Sequence, residues 1–290
     1  MINLKNYIIE SIFDIEDNID NVDESIKDQI KQFLNDNFKG ASLCKISRKP
    51  NKDGRFEVSS TGDVEVKNIN ITSLTNGSFI WTNIKGDFTC SNCNSLTSLE
   101  GAPKEVKGDF NCYNCNSLKS LEGAPKKVNR DFYCSYCNSL TSLKGAPKEI
   151  GRCFYCAYCN SLTSLEGSPK KVGENFNCFN CDSLISLEGA PKEVGKDFSC
   201  NNCPSLISLK GSPKKVGKDF DCFNCNSLIS LEGAPEKVDH DFSCFNCDSL
   251  ISLEGAPKEV SGDFLCPNCG IKFTTDDVKK VSNVKGDIEV

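Results

Sequence analysis

The chain has 290 residues and a formal charge of −6, with 34 Lys and Arg interspersed among 40 Asp and Glu. Without a basic block it lacks the positive face that nucleic-acid phosphates require, so no nucleic-acid partner is expected. Nor does it contain the roughly 18 consecutive apolar residues needed to span a bilayer as a helix, so no membrane partner is expected either.

In chain order, residues 1–60 read as an N-terminal cap. The opening MINLKNYIIESIFDIEDNID follows Lys5 mostly with acids. It lacks the long apolar run and small-residue cleavage site of a secretory signal. A cytoplasmic, reducing location is therefore expected, with the 20 Cys held as free thiols or metal thiolates. A short helix is expected over 3–13. A longer one is expected over 22–38, where Val22, Ile26, Ile30, Phe33, Leu34 and Phe38 share one helical face. Gly40 should stop it. Residues 42–60 read as a hairpin, with ASLCKIS and RFEVSS flanking PNKDG.

The solenoid is expected over 61–290. From Gly86 the chain repeats every 22 residues: GDFTCSNCNSLTSLEGAPKEVK (86–107) is followed by GDFNCYNCNSLKSLEGAPKKVN (108–129), and the period holds to residue 261. Residues 62–85 and 262–290 are degenerate end coils. Alternation in Phe88-x-Cys90 predicts a short strand with both side chains on one face. The Gly101-Ala102-Pro103 segment and its equivalents forbid a long helix. Leu96, Leu99 and Val106 supply further apolar positions. One coil cannot bury both of its sides, but a stack can, and parallel strands then satisfy one another's backbone groups. The expected fold is thus a β-rich solenoid of parallel strands, with few or no helices in the repeats. The ends are expected to act as caps, with GDIEV (286–290) echoing the coil opening.

These residues resemble a leucine-rich repeat. The opening coil fits best, as Val64-x-Val66-x-x-Ile69-x-Ile71-x-x-Leu74. The regular coils, Phe110-x-Cys112-x-x-Cys115-x-x-Leu118-x-x-Leu121, carry one extra residue between the second Cys and the next Leu. The short Pro-containing back half is similar to the compact bacterial type. The resemblance implies a binding protein that uses its strand face. Residues 1–11 also resemble the leader of internal head proteins of large tailed phages, cut after an [I/L]-x-E motif that Ile8-Ile9-Glu10 would supply. That would imply a virion-associated location. An ordinary capping helix is the preferred reading.

Nine CxxC pairs run along the coils: Cys90/Cys93, Cys112/Cys115, Cys134/Cys137, Cys156/Cys159, Cys178/Cys181, Cys200/Cys203, Cys222/Cys225, Cys244/Cys247 and Cys266/Cys269. Their spacing matches a zinc ribbon, but it is also a by-product of the repeat period. The opening coil puts Val66 and Ile69 at the two Cys positions, as core fillers would be. The preferred reading is two inward ladders of small, hydrophobe-like structural residues. A zinc-thiolate array is the alternative, and disulfides a third reading. Of the two remaining cysteines, Cys44 is expected to be buried in the cap. Cys153 replaces the Asp of most coils at a turn, next to Arg152, and is expected to be an accessible thiol.

The Asp column (Asp87, Asp109, Asp131, Asp197, Asp219, Asp241, Asp263) lacks a calcium-solenoid motif and reads as side chains bonding backbone NH groups at their own turns. His240, the sole histidine, holds a coil-start position filled elsewhere by Gly, Arg, Glu or Lys. No catalytic constellation forms around it, and no enzyme is expected. The outward strand columns instead carry Tyr113, Tyr133, Tyr155, Phe179, Phe223 and Phe245, with Tyr136 and Tyr158 replacing Asn alongside. Such rings either form an interface patch or lie flat and stabilise the sheet. The function expected is non-enzymatic binding or scaffolding toward a protein partner, without a cofactor.

Overall fold

The computed structural model describes residues 22–290, and there the chain is a β-solenoid. The readings on residues 3–13 and on the leader motif lie outside the described residues. Each regular coil contributes two strands of two residues, which form two twelve-stranded sheets along opposite sides of the stack. One sheet collects the Phe strands, Phe88–Thr89 pairing with Phe110–Asn111 and so on to Ile288–Glu289. The other collects Glu105–Val106, Lys127–Val128 and their successors. All pairings between regular coils are parallel and join equivalent residues, so each side chain sits above its own kind.

The core follows from that register. In the coil opening at Glu174, Phe176, Cys178, Cys181, Leu184, Leu187, Pro191 and Val194 are all buried. Nine phenylalanines from Phe88 to Phe264 stack ring on ring, with centroids 5.1–5.8 Å apart. Offset stacking of this kind adds about 0.5–1.5 kcal/mol per pair beyond burial. Corners are turned by left-handed residues. At Gly211 φ is +95° and a Cβ would lie 2.5 Å from the Leu187 oxygen of the preceding coil, so only glycine fits.

At the N-terminal end, α1 (residues 22–37) lays Ile30 and Leu34 into the core, while Val22 is exposed despite its place in the apolar register. The predicted final helical residue, Phe38, belongs instead to Phe38–Lys39, which pairs antiparallel with Val64–Val66 and covers the edge of the first sheet. Gly40 then turns the chain at φ +81°. Cys44–Ile46 pairs antiparallel with Phe56–Ser60 and covers the second edge, and Cys44 is half-buried. Phe38, Phe79, Trp81 and Phe88 meet at 5.4–6.2 Å and join cap to stack. The Trp81 indole donates to the Leu74 carbonyl at 2.9 Å. At the other end, α2 (Thr275–Val281) interrupts the last coil. Thr274 and Asp277 form a reciprocal capping box at its start.

Two sequence expectations are corrected by these elements. A single strand per coil was expected, but Glu105–Val106 and its equivalents form a second, because the residues after each buried Pro are held extended against the neighbouring coil. Ile69 does not substitute for a core Cys: it is 56% exposed, and Ile71 is buried instead. The opening coil, residues 62–85, is 24 residues long, and its extra length displaces that position.

Candidate functional site

The inward thiols form a bonded system. From Cys115 onward, every second-column Cys donates its S–H to the carbonyl of the first-column Cys of the preceding coil, whereas Cys93 reaches the Ser91 carbonyl of its own coil at 3.6 Å. Cys115 reaches Cys90 at 3.1 Å. From Cys137 onward the same contact recurs at 3.3–3.4 Å, through Cys159 and Cys203 to Cys269 on Cys244. A small, weakly polar donor is what such a buried carbonyl can accept without a void. Burial pushes the Cys203 and Cys247 thiols up to about 12, against partial relief from backbone NH groups. Burial also raises fully enclosed Cys156, Cys178 and Cys200 well above the ordinary thiol range. These thiols are therefore protonated at neutral pH, and Cys203 and Cys247 act as donors. All 20 cysteines are unpaired, and only Cys44 and Cys269 are less than buried.

Among the described residues, the one set of three metal-type ligand atoms within 4.8 Å of each other is Asp219, His240 and Asp241. No three cysteine sulfurs of the described residues converge in that way. At the Asp/His cluster the histidine Nδ1 sits 2.6 Å from Asp219 Oδ1, and that hydrogen bond raises the His240 pKa. The group is thus an exposed His–Asp hydrogen-bonded pair, an ion pair only when the imidazole is protonated.

The Asp column works between coils and not at its own turns. Asp87 Oδ1 accepts the Asp109 N–H at 2.8 Å, Asp109 accepts from Asp131 at 3.0 Å, and Asp241 accepts from Asp263 at 2.8 Å. The parallel register carries each carboxylate over the next turn, which explains the difference. Cys153 occupies this column and is not the accessible thiol its turn position implied. It is 4% exposed. Its N–H donates to Asp131 Oδ1 at 2.9 Å, and its sulfur lies 4.0 Å from Glu174 Oε2. Arg152 and Lys196 surround that carboxylate at 3.6 and 2.9 Å.

The outward aromatics are brought together in three groups. Tyr113, Tyr136, Tyr158 and Phe179 form a continuous run over four coils, with successive centroids 5.1, 4.3 and 5.5 Å apart. Tyr133 and Tyr155 stack beside it at 4.8 Å. Phe223 and Phe245 stack separately at 4.5 Å. Tyr113 is 38% exposed and the other rings are half-buried. Tyr136 and Tyr158 have φ of 61° and 57°, at a corner where the other regular coils use Asn. Asn tolerates the left-handed region, whereas a bulky side chain there costs on the order of 1–2 kcal/mol. Tyr133 also donates its hydroxyl to buried Asp131 at 3.1 Å. Burial first, then that carboxylate, pushes its phenol up to about 12.

A second surface feature went unread in the sequence. Ile185, Ile207, Ile229 and Ile251 form an outward column, each 50–56% exposed. The signal was available, since the earlier coils carry Thr97, Lys119, Thr141 and Thr163 at the same place. No helix among the described residues is long and apolar enough to cross a membrane. Compared with family models, curated proteins and solved structures, the chain matches none.

Proposed function

We propose that this chain is a non-enzymatic binding or scaffold protein that offers a rigid solenoid surface to a protein partner. The aromatic strand face, centred on Tyr133, Tyr136, Tyr155 and Tyr158, is the contact. One observation carries the reading: five of the chain's six tyrosines fall between residues 113 and 158 on one face, two of them at left-handed corners that favour Asn. Strain retained on a surface points to use of that surface, and tyrosine is a preferred anchor of protein interfaces. The resemblance to leucine-rich repeats supports the same reading. Sugar or base stacking fits less well. The tyrosine pairs at 3° and 15° cover each other's faces, leaving less ring face for a stacked ligand. A preformed face also loses little ordering entropy on binding.

The protonated, hydrogen-bonded thiols speak against the alternative of a zinc-thiolate array and against thiol catalysis. Twenty unpaired thiols suit a reducing interior, cytoplasmic or within a virion. The test is affinity capture with the wild type and with the variant Tyr133→Ser, Tyr136→Asn, Tyr155→Ser, Tyr158→Asn. These replacements already stand at the same columns in other coils, as Ser199, Ser243 and Asn202. Loss of captured partners with an unchanged thermal transition supports the reading. Undiminished capture refutes it.

A further inference from the structure

We propose that the isoleucine column is a docking strip for a cationic amphipathic helix of a partner protein, independent of the tyrosine face. Four apolar side chains in register, each half-exposed, form a straight stripe, because their coils are fixed to one another. The Ile207 N–H donates to the Ile185 carbonyl at 3.2 Å, and the Ile251 N–H to that of Ile229 at 3.1 Å. The stripe therefore repeats at the strand spacing, about 4.8 Å. A helix presents same-face residues three or four positions apart, a rise of about 4.5–6 Å. An extended strand presents them about 6.7 Å apart. A helix lying along the stack matches the stripe and a strand does not.

Charge selects the partner. One flank carries Glu188, Glu232 and Glu254, with Lys210 its single cation. Lys210 pairs with Glu188 at 3.3 Å, and no ion pair of the described residues engages the other two. On the other flank Asp182 and Asp248 stand where the tyrosine-bearing coils have Asn. An apolar stripe between acidic margins fits an apolar helix face bordered by Lys and Arg. It disfavours a second copy of this chain, whose margins repel their own kind. It also disfavours residues 1–21, which hold five acids and one Lys, and anionic lipid.

The test uses full-length protein and a fluorescent helical peptide of about fourteen residues, built from Leu and Lys with one apolar face. Its twin has Glu for Lys. The comparison protein is Ile185→Thr, Ile207→Thr, Ile229→Thr, Ile251→Thr, which reproduces the residue already at positions 97, 141 and 163 and leaves the charge intact. Circular dichroism confirms that it folds. The Leu/Lys peptide is expected to bind wild type at least roughly tenfold tighter than the Thr variant, and tighter than the Glu twin. Equal affinity for both proteins reduces the effect to bulk charge and overturns the proposal. So does preference for the Glu twin. A wild-type dimer in sedimentation that the Thr variant abolishes assigns the stripe to a second copy, and vesicle binding lost in that variant assigns it to lipid. Either result also overturns it.

Discussion

Between residues 108 and 173 the outward columns carry five tyrosines, with Lys119, Thr141 and Thr163 around the corner; between 174 and 261 the same columns carry Phe179, Phe223, Phe245 and four isoleucines. Beneath both halves the Phe, Cys, Cys, Leu, Leu and Val ladders continue, with Ile150 the one replacement in the Val column. Each coil is thus a control for its neighbours. What varies while the core stays fixed is not required by folding, because a solenoid's stability comes from repeat cores and nearest-neighbour interfaces. On the proposed function the tyrosines and isoleucines serve contacts outside the chain, and the two halves would present different chemistry there.

The comparison breaks first if the two cores are not equivalent. Phe132→Ala and Phe198→Ala each remove a ring stacked on both faces, and each should cost about 3–5 kcal/mol. Urea unfolding checks this, and values differing by more than about 2 kcal/mol would show that the halves rest on different cores. Next, Cys203→Ala removes both a packed sulfur and the donor to the Cys178 carbonyl at 3.4 Å. A loss of about 1–3 kcal/mol is expected, with Cys203→Ser retaining part of it. An Ala variant as stable as wild type would remove the bonding role from the thiol ladder.

Smaller effects sharpen the contrast at the corner. Asn202→Tyr installs in the second half what Tyr158 is in the first, and should cost about 1 kcal/mol. Tyr158→Asn loses the stack on Tyr136 at 4.3 Å but relieves the left-handed strain, so it should stay within about 1 kcal/mol of wild type. Calorimetry on the pair tests this. A Tyr158→Asn variant much less stable than wild type would make the tyrosine ribbon structural.

The smallest effect is electrostatic. The hydrogen bond to Asp219 raises the His240 pKa above 6.5. A raised folded pKa means the folded state holds its proton more tightly. The contribution is complete below the ordinary value and is lost as pH rises through the folded one. A proton NMR titration of the sole histidine should give a midpoint above 6.5, returning toward it in Asp219→Asn. A midpoint unmoved by that substitution would remove Asp219 as the cause.

Much of this was legible in the sequence, and the reasons differ by residue. The period and the Phe/Cys/Leu positions could be read because identical residues recur at one spacing and parallel stacking superimposes them. The second strand could not: Glu105–Val106 has two residues and no alternation to detect. Nor could the Asp ladder, since a turn in isolation offers its own backbone as partner and only the stack brings in the next. Cys153 misled for the same reason, its turn being covered by Arg152 and Glu174 from adjoining positions. The aromatic columns followed from strand alternation, but their division into a four-ring run and two stacked pairs depends on ring packing. The left-handed corner was signalled by the recurring Asn, whose preference for that conformation gives Tyr136 and Tyr158 their meaning.

The second-column thiols from Cys115 onward are hydrogen-bond donors within the core, and the proposed function places binding on the surface above a metal-free core. Native mass spectrometry under reducing conditions, with thiol counting after unfolding, tests it most directly. The prediction is a metal-free mass and twenty reactive thiols in the unfolded chain. A mass carrying several zinc ions, lost together with folded structure on chelation, would contradict it.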